Sequence, residues 1–278
     1  MMKHYVVVDL NFLGRGNVEG LLTGRPGTRI VLPDLSFLEM TKSDRWESVL
    51  RSTLQPLSQY SNRVFVCRSV SDGLAAELAN LHSVSKHMLH REATHFVRDL
   101  LNWVGSGREG YAIARIRKDP ECHRASLAAD YLDHGGNKAR LKELIEDTQC
   151  MLSVELQKRM RSANVSGEER VQFIHEMALS ILPQVLGTRG ISISKARVFM
   201  RRKPLILRYM FLKIWHCVFW IEKGGFHTFP DSKVTKDEID QQYVLAATFF
   251  DGLESLETKV NNAYEDLKLL LAKKIQFS

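Results

Sequence analysis

The stretch HYVVVDLNFL, residues 4–13, decides how the chain is read. Residues 5–8 form an unbroken apolar run, and three of the four are valine. β-branched residues in a short apolar run predict a buried strand. The run ends on a carboxylate, Asp9, and Asn11 follows two positions later. An acid that closes a buried strand either caps the next turn or presents chemistry at the strand's end.

The flanking sequence favours a sheet of parallel strands. Residues 29–32 (RIVL) predict a second strand, with Pro33 opening a helix in which Leu35, Leu38 and Met40 face inward. Residues 44–60 predict another helix, with Pro56 near its end, and residues 62–68 (NRVFVCR) a third strand. Alternation of strand and helix argues for an α/β fold. Helical spacing dominates afterwards: residues 71–104 with Ser71 as cap, 135–160, 166–187, and 194–225 with a break at Pro204. Residues 105–123 read as a loop or linker. The pattern returns to α/β at the end. Thr235 and Glu238 have the spacing of a capping box, which would put Asp240 in the first turn of a helix. Residues 253–255 (LES) suggest a short strand, and residues 261–275 a last amphipathic helix. The expected organisation is a sheet domain from residues 1–70 and 231–278, interrupted by an all-α insert, 71–230.

The chain has 278 residues, 44% of them hydrophobic and 26% charged, enough for one large domain or two small ones. No run of 18 uncharged apolar residues is present, so no membrane span is expected. The N-terminal apolar run is too short for a signal peptide. Cys67, Cys122, Cys150 and Cys217 are scattered, without a C-x-x-C pair, which suits a reduced, cytoplasmic setting. The net charge is +7. Residues 189–223 hold nine lysines and arginines against one glutamate, while residues 224–278 are net acidic. Arg197, Arg201, Arg202, Lys203 and Arg208 crowd a few turns, a pattern that suits phosphate binding.

The acids stand where chemistry is expected. Sites in parallel sheets form at the carboxyl ends of strands. Asp9 is at such an end, and Asn11 would share its side if the chain stays extended. Glu39 lies in the helix after the second strand, Asp240 opens a later helix, and Glu257 follows the last strand. Converging carboxylates repel one another unless a cation neutralises them. Oxygen-only clusters suit Mg²⁺ or Mn²⁺, which activate water and stabilise a leaving oxygen at a phosphodiester.

The segments VVVDLNFL, VLPDLSFLEM and KDEIDQQYVLAATFFDGLESLE together resemble the PIN-domain nuclease pattern. In that family Asp-x-Asn follows the first strand and a Glu lies in the helix after the second. An Asp opens a late helix, and a Thr/Ser-x-Asp follows the last core strand. Asp9, Asn11, Glu39, Asp240 and Ser255 match in turn, and Glu257 stands where Asp is usual. The resemblance covers residues 1–68 and 231–275. It implies a PIN-like endoribonuclease in which Asp9, Glu39, Asp240 and Glu257 hold Mg²⁺ or Mn²⁺, while Asn11 and Ser255 orient the acids or the water. Asp237, one turn before Asp240, would support these ligands without touching the ion. RNA is the implied substrate, with DNA as the alternative. A homo-oligomer and an inhibitor protein are further possible partners. The other class of function is a non-catalytic binding protein on a decayed nuclease scaffold.

Other patterns are weaker. His82, His87, His90 and His95 fall on one predicted helix but form no H-E-x-x-H. GSGREG (105–110) lacks the Lys-Ser/Thr of a phosphate loop. Cys122-His123 has no partner pair, and Asp251 reads as a helix-end residue.

Overall fold

The computed structural model of the protein describes residues 3–119, 121, 134–162, 165–224 and 231–275. The chain divides into two compact units. One holds residues 1–73, 85–132 and 239–262, and the other 74–84, 133–238 and 263–278.

The first unit is α/β. Its four strands are β1 (His4–Val8), β2 (Thr28–Pro33), β3 (Val64–Cys67) and β4 (Gly252–Glu254). All neighbours pair in parallel, in the order β3-β2-β1-β4. Val6, Val7 and Val8 are all buried, as are Ile30, Val31 and Leu32. Both sheet faces are covered, so these strands have no polar side and read as continuous apolar runs. Val6, Val8, Ile30, Leu32, Val64 and Val66 share a core with residues such as Leu50, Leu54 and Trp103.

Several helices frame this sheet. They are α1 (Leu10–Arg15), α2 (Val18–Gly24), α3 (Leu35–Thr41) and α4 (Trp46–Leu54). After β3 the chain forms α5 (Val70–Asn80), whose residues from 74 onward belong to the second unit, and then α6 (Arg91–Ser106) and α7 (Tyr111–Lys118). Pro33 ends β2 and Asp34 caps α3, so the helix starts two residues later than Pro33 suggests. Residues 71–104 are not one helix. The leucine spacing runs through a break at Leu81, which takes a left-handed φ of 52°, and a 3₁₀ turn at Val84–His87 precedes α6. The four histidines therefore do not share a helix face. His90 caps α6, its Nδ1 accepting from Ala93 N at 3.1 Å. Residues 111–118, expected in a linker, form α7 because Ala112, Ile113 and Ile116 bury one face. Both α6 and α7, read from sequence as part of an all-α insert, belong to the unit that holds the sheet.

Among its described residues the second unit holds helices and no strand. It contains α8 (His134–Cys150), α9 (Val154–Arg161), α10 (Gly167–Gly187), α11 (Ile193–Met200) and α12 (Leu205–Glu222). Helix α12 is largely buried, Phe211, Trp215, Val218 and Trp220 included, so it is the unit's core helix. Residues 135–160 break at Ser153, which caps α9. The expected break at Pro204 is present: α11 and α12 meet at 84°. Among the described residues no single helix is long and apolar enough to cross a membrane.

The last two helices are α13 (Asp231–Ala247) and α14 (Thr258–Ala272). Thr235 and Glu238 do not form a capping box. The chain is already helical from Asp231, Thr235 is buried within the helix, and Glu238 pairs with Lys213. Asp240 thus lies in the middle of α13, and the helix dipole of a first turn does not account for it.

Candidate active site at the carboxyl edge of the sheet

Strand order marks the edge at which ligands of open α/β sheets bind. From β1 the chain steps outward to β2 and then β3, whereas β4 pairs on the other side of β1. The direction of winding reverses between β1 and β4, and ligands of open α/β sheets bind outside the carboxyl ends at such a reversal. Val8 is in register with Glu254, and Asp9 N donates to the Glu254 carbonyl at 3.1 Å. Asp9 and Ser255 therefore leave their strands side by side.

Asp9 is 5% exposed. Its backbone is extended (φ −80°, ψ 165°), and the chain turns into α1 at the next residue. Asn11 is consequently helical rather than extended. Asp9 Oδ1 caps α1 by accepting from Phe12 N at 2.7 Å, while Oδ2 accepts from the Ser255 hydroxyl. Ser255 Oγ also accepts from Glu257 N at 3.0 Å, and the Ser255 carbonyl accepts from Asn261 Nδ2 at 3.0 Å. Asn11 Nδ2 donates to Glu257 Oε1. Two hydrogen-bonded pairs, Asp9–Ser255 and Asn11–Glu257, thus bridge positions 246 residues apart.

Glu39 is held differently. Its Oε2 accepts from the Tyr243 hydroxyl at 3.0 Å, and that hydroxyl lies 3.1 Å from Ser36 Oγ. Burial, and then the charge of Glu39, push the Tyr243 phenol well above its ordinary pKa, and Asp9 acts in the same direction. The hydroxyl stays protonated and donates. Asp9 and Glu39 therefore act electrostatically on one buried group. Asp240 is half-buried, one turn before Tyr243 on α13. Tyr243, part of the segment KDEIDQQYVLAATFFDGLESLE, and Ser36 had no role assigned from the sequence. Each stands three residues from an expected acid on its own helix, the spacing that puts two side chains on one face.

Asp237 falls in the second unit. Its Oδ2 lies 3.4 Å from His216 Nε2, the nitrogen that accepts the Trp220 indole N–H at 2.6 Å. The basic residues are in that unit too. Arg197, Arg201 and Arg202 are exposed and Lys203 is half-buried. Arg208 is half-buried, and its Nε donates to the Lys203 carbonyl at 2.9 Å. Burial lowers its pKa to about 10 despite the opposing charge of Glu77. Asp251 accepts from Tyr5 N at 2.7 Å at the start of β1. Cys122-His123 lies outside the described residues.

Asp9, Glu39, Asp240 and Glu257 offer oxygen donors only, the chemistry that Mg²⁺ or Mn²⁺ takes. The donor type fits such an ion. The positions are looser: among the described residues no group of three or more His, Cys, Asp or Glu side chains stands close enough to hold one. No family model, no curated protein and no solved structure matches this chain.

Proposed function

We propose that the chain is a metal-dependent endoribonuclease built on a PIN-like sheet domain. The observation that carries this reading is the pair of hydrogen bonds, Asp9–Ser255 and Asn11–Glu257, at the winding reversal between β1 and β4. Capping alone would need one oxygen of Asp9, yet both are directed. Asp9, Glu39, Asp240 and Glu257 would hold Mg²⁺ or Mn²⁺. When bound, the ion would supply Lewis-acid activation of water and of the scissile phosphate. The chain's own residues set the stage for it. Ser255 and Asn11 fix two carboxylates by donating to them, and Tyr243 fixes a third. RNA as substrate rests on the resemblance of the three motifs to PIN nucleases.

The test is Asp9→Asn. Asparagine keeps the oxygen that caps α1 and remains a partner for Ser255, so the variant should melt within a few degrees of the native chain. It should lose Mn²⁺-dependent cleavage of single-stranded RNA. Unchanged cleavage overturns the role of Asp9. A matched DNA strand cleaved in place of RNA changes the substrate and keeps the site.

One observation favours a second reading, a non-catalytic nucleic-acid-binding protein on a nuclease-like scaffold: no three carboxylates converge among the described residues. Thermal melting with Mn²⁺ separates the two. A functional site gains stability because the ion binds the folded chain, and a decayed one gains none.

A further inference from the structure

The second unit has a cavity of about 390 Å³ lined by Leu81, His82, Ser194, Lys195, Val198, Phe199 and Arg202. Its volume is in the range of small-ligand clefts, roughly 300–1,000 Å³. The lining is of two kinds. Leu81, Val198 and Phe199 give an apolar wall, and Lys195, Arg202 and Ser194 give cations and a hydroxyl. Val198 is 57% exposed, so apolar surface stays open at this face. His82 is an exposed aromatic ring at the cavity. Its Nδ1 lies 2.6 Å from the Asn80 carbonyl, a contact that orients the ring.

The electrostatics are one-sided. Residues 189–203 hold six lysines and arginines and no acid. Among the described residues Lys195, Arg201 and Arg202 make no ion pair. Cations left without acids suit phosphate. A cavity with an apolar wall and an aromatic ring beside them suits a flat, unpaired nucleobase. A double helix keeps its bases stacked and out of reach.

We propose that this cavity receives one nucleotide of a single-stranded nucleic acid. The nucleobase lies against Leu81, Val198, Phe199 and the His82 ring, and the flanking phosphates lie on Lys195 and Arg202. The inference rests on reading this face as a phosphate-binding one, and it is independent of the carboxylates.

Binding of the full chain is measured in EDTA, with a short oligouridylate and with the same strand made abasic throughout. The native chain should prefer the base-bearing strand about tenfold, the scale of one stacked base. Val198→Ser, at an exposed position, should shrink that preference and leave abasic binding unchanged. Arg202→Ala should weaken both strands alike. Equal native affinity for the two strands, or a preference untouched by Val198→Ser, overturns the cavity while keeping the phosphate face. If neither strand binds, the phosphate reading falls as well. Binding to anionic lipid vesicles in place of either strand would make this a membrane-facing surface and overturn the proposal.

Discussion

Asp34 shows how one side chain reports on its surroundings. It follows β2, caps α3 and accepts from Leu35 N at 2.8 Å. Burial chiefly, and then the charge of Asp72, raise its pKa to about 6, with His90 opposing. Its charge in turn adds to the burial that pushes up the Cys67 thiol. The folded chain therefore binds this proton more tightly than the unfolded chain does. The benefit is complete below the ordinary carboxylate range and is lost as pH rises through about 6. At pH 8 the buried charge costs on the order of 3 kcal/mol, from roughly two pH units at 1.36 kcal/mol each. Asp34→Asn keeps a good capping residue and carries no charge. It should raise the melting temperature at pH 8 and leave it nearly unchanged at pH 4. A shift of equal size at both pH values would mean that packing, and not ionisation, decides the effect.

The elbow between α11 and α12 depends on a carboxylate far away in sequence. Pro204 occupies the cap of α12 and has no side-chain oxygen to offer the first amides. Glu77, fully buried, accepts from Ile206 N at 3.1 Å and from Val84 N at 3.0 Å. It acts as the missing cap, and its charge sits favourably at a helix N-terminus. Glu77→Ala leaves two buried amides without an acceptor and should cost roughly 3 kcal/mol in urea denaturation. Glu77→Gln, which retains an oxygen, should recover a good part of that loss. An alanine variant within 1 kcal/mol of native, the ordinary worth of one hydrogen bond, would rule out the cap. This contact also marks the limit of what the sequence discloses. The strands were legible because a sheet covered on both faces leaves plain apolar runs, as at residues 5–8. The break at Pro204 was legible because proline acts locally. The Thr235-x-x-Glu238 pattern misled, because the same short spacing also occurs inside a helix. Leu81 continued a leucine period that its own backbone ends. Glu77 meets Ile206 across 129 residues and leaves no local trace. At the candidate site, individual acids were legible from their place after strands and in helices. Their pairing with Ser255 and Asn11 needed the register of β1 with β4, and Tyr243 needed the burial of α13.

Charge separates the two units. The sheet unit holds 18 lysines and arginines and 17 acids, whereas the helical unit holds 21 and 15. Nearly all of the chain's net charge of +7 therefore belongs to the helical unit. The carboxylates proposed for metal all lie in the other one. A cation and a polyanion should then leave separate marks on a single chain, and amide exchange reads both. Mn²⁺ at a hundred times its dissociation constant adds about 2.7 kcal/mol to the state that binds it. Exchange should slow most where the ligands are tied together, in residues 9–13 and 255–261. The amides of residues 193–203 should be unaffected by the ion. A single-stranded oligonucleotide added in EDTA should slow exchange at residues 81–82 and 193–203. Raising salt should erase that second mark, because neutralised phosphates release counterions on binding. It should spare the first, which depends on partly buried oxygens that salt screens poorly. Mn²⁺ protection confined to residues 193–203, or none anywhere, would remove the carboxylates from the proposed site. Oligonucleotide protection at residues 9–13 alone would move nucleic-acid binding away from the basic face.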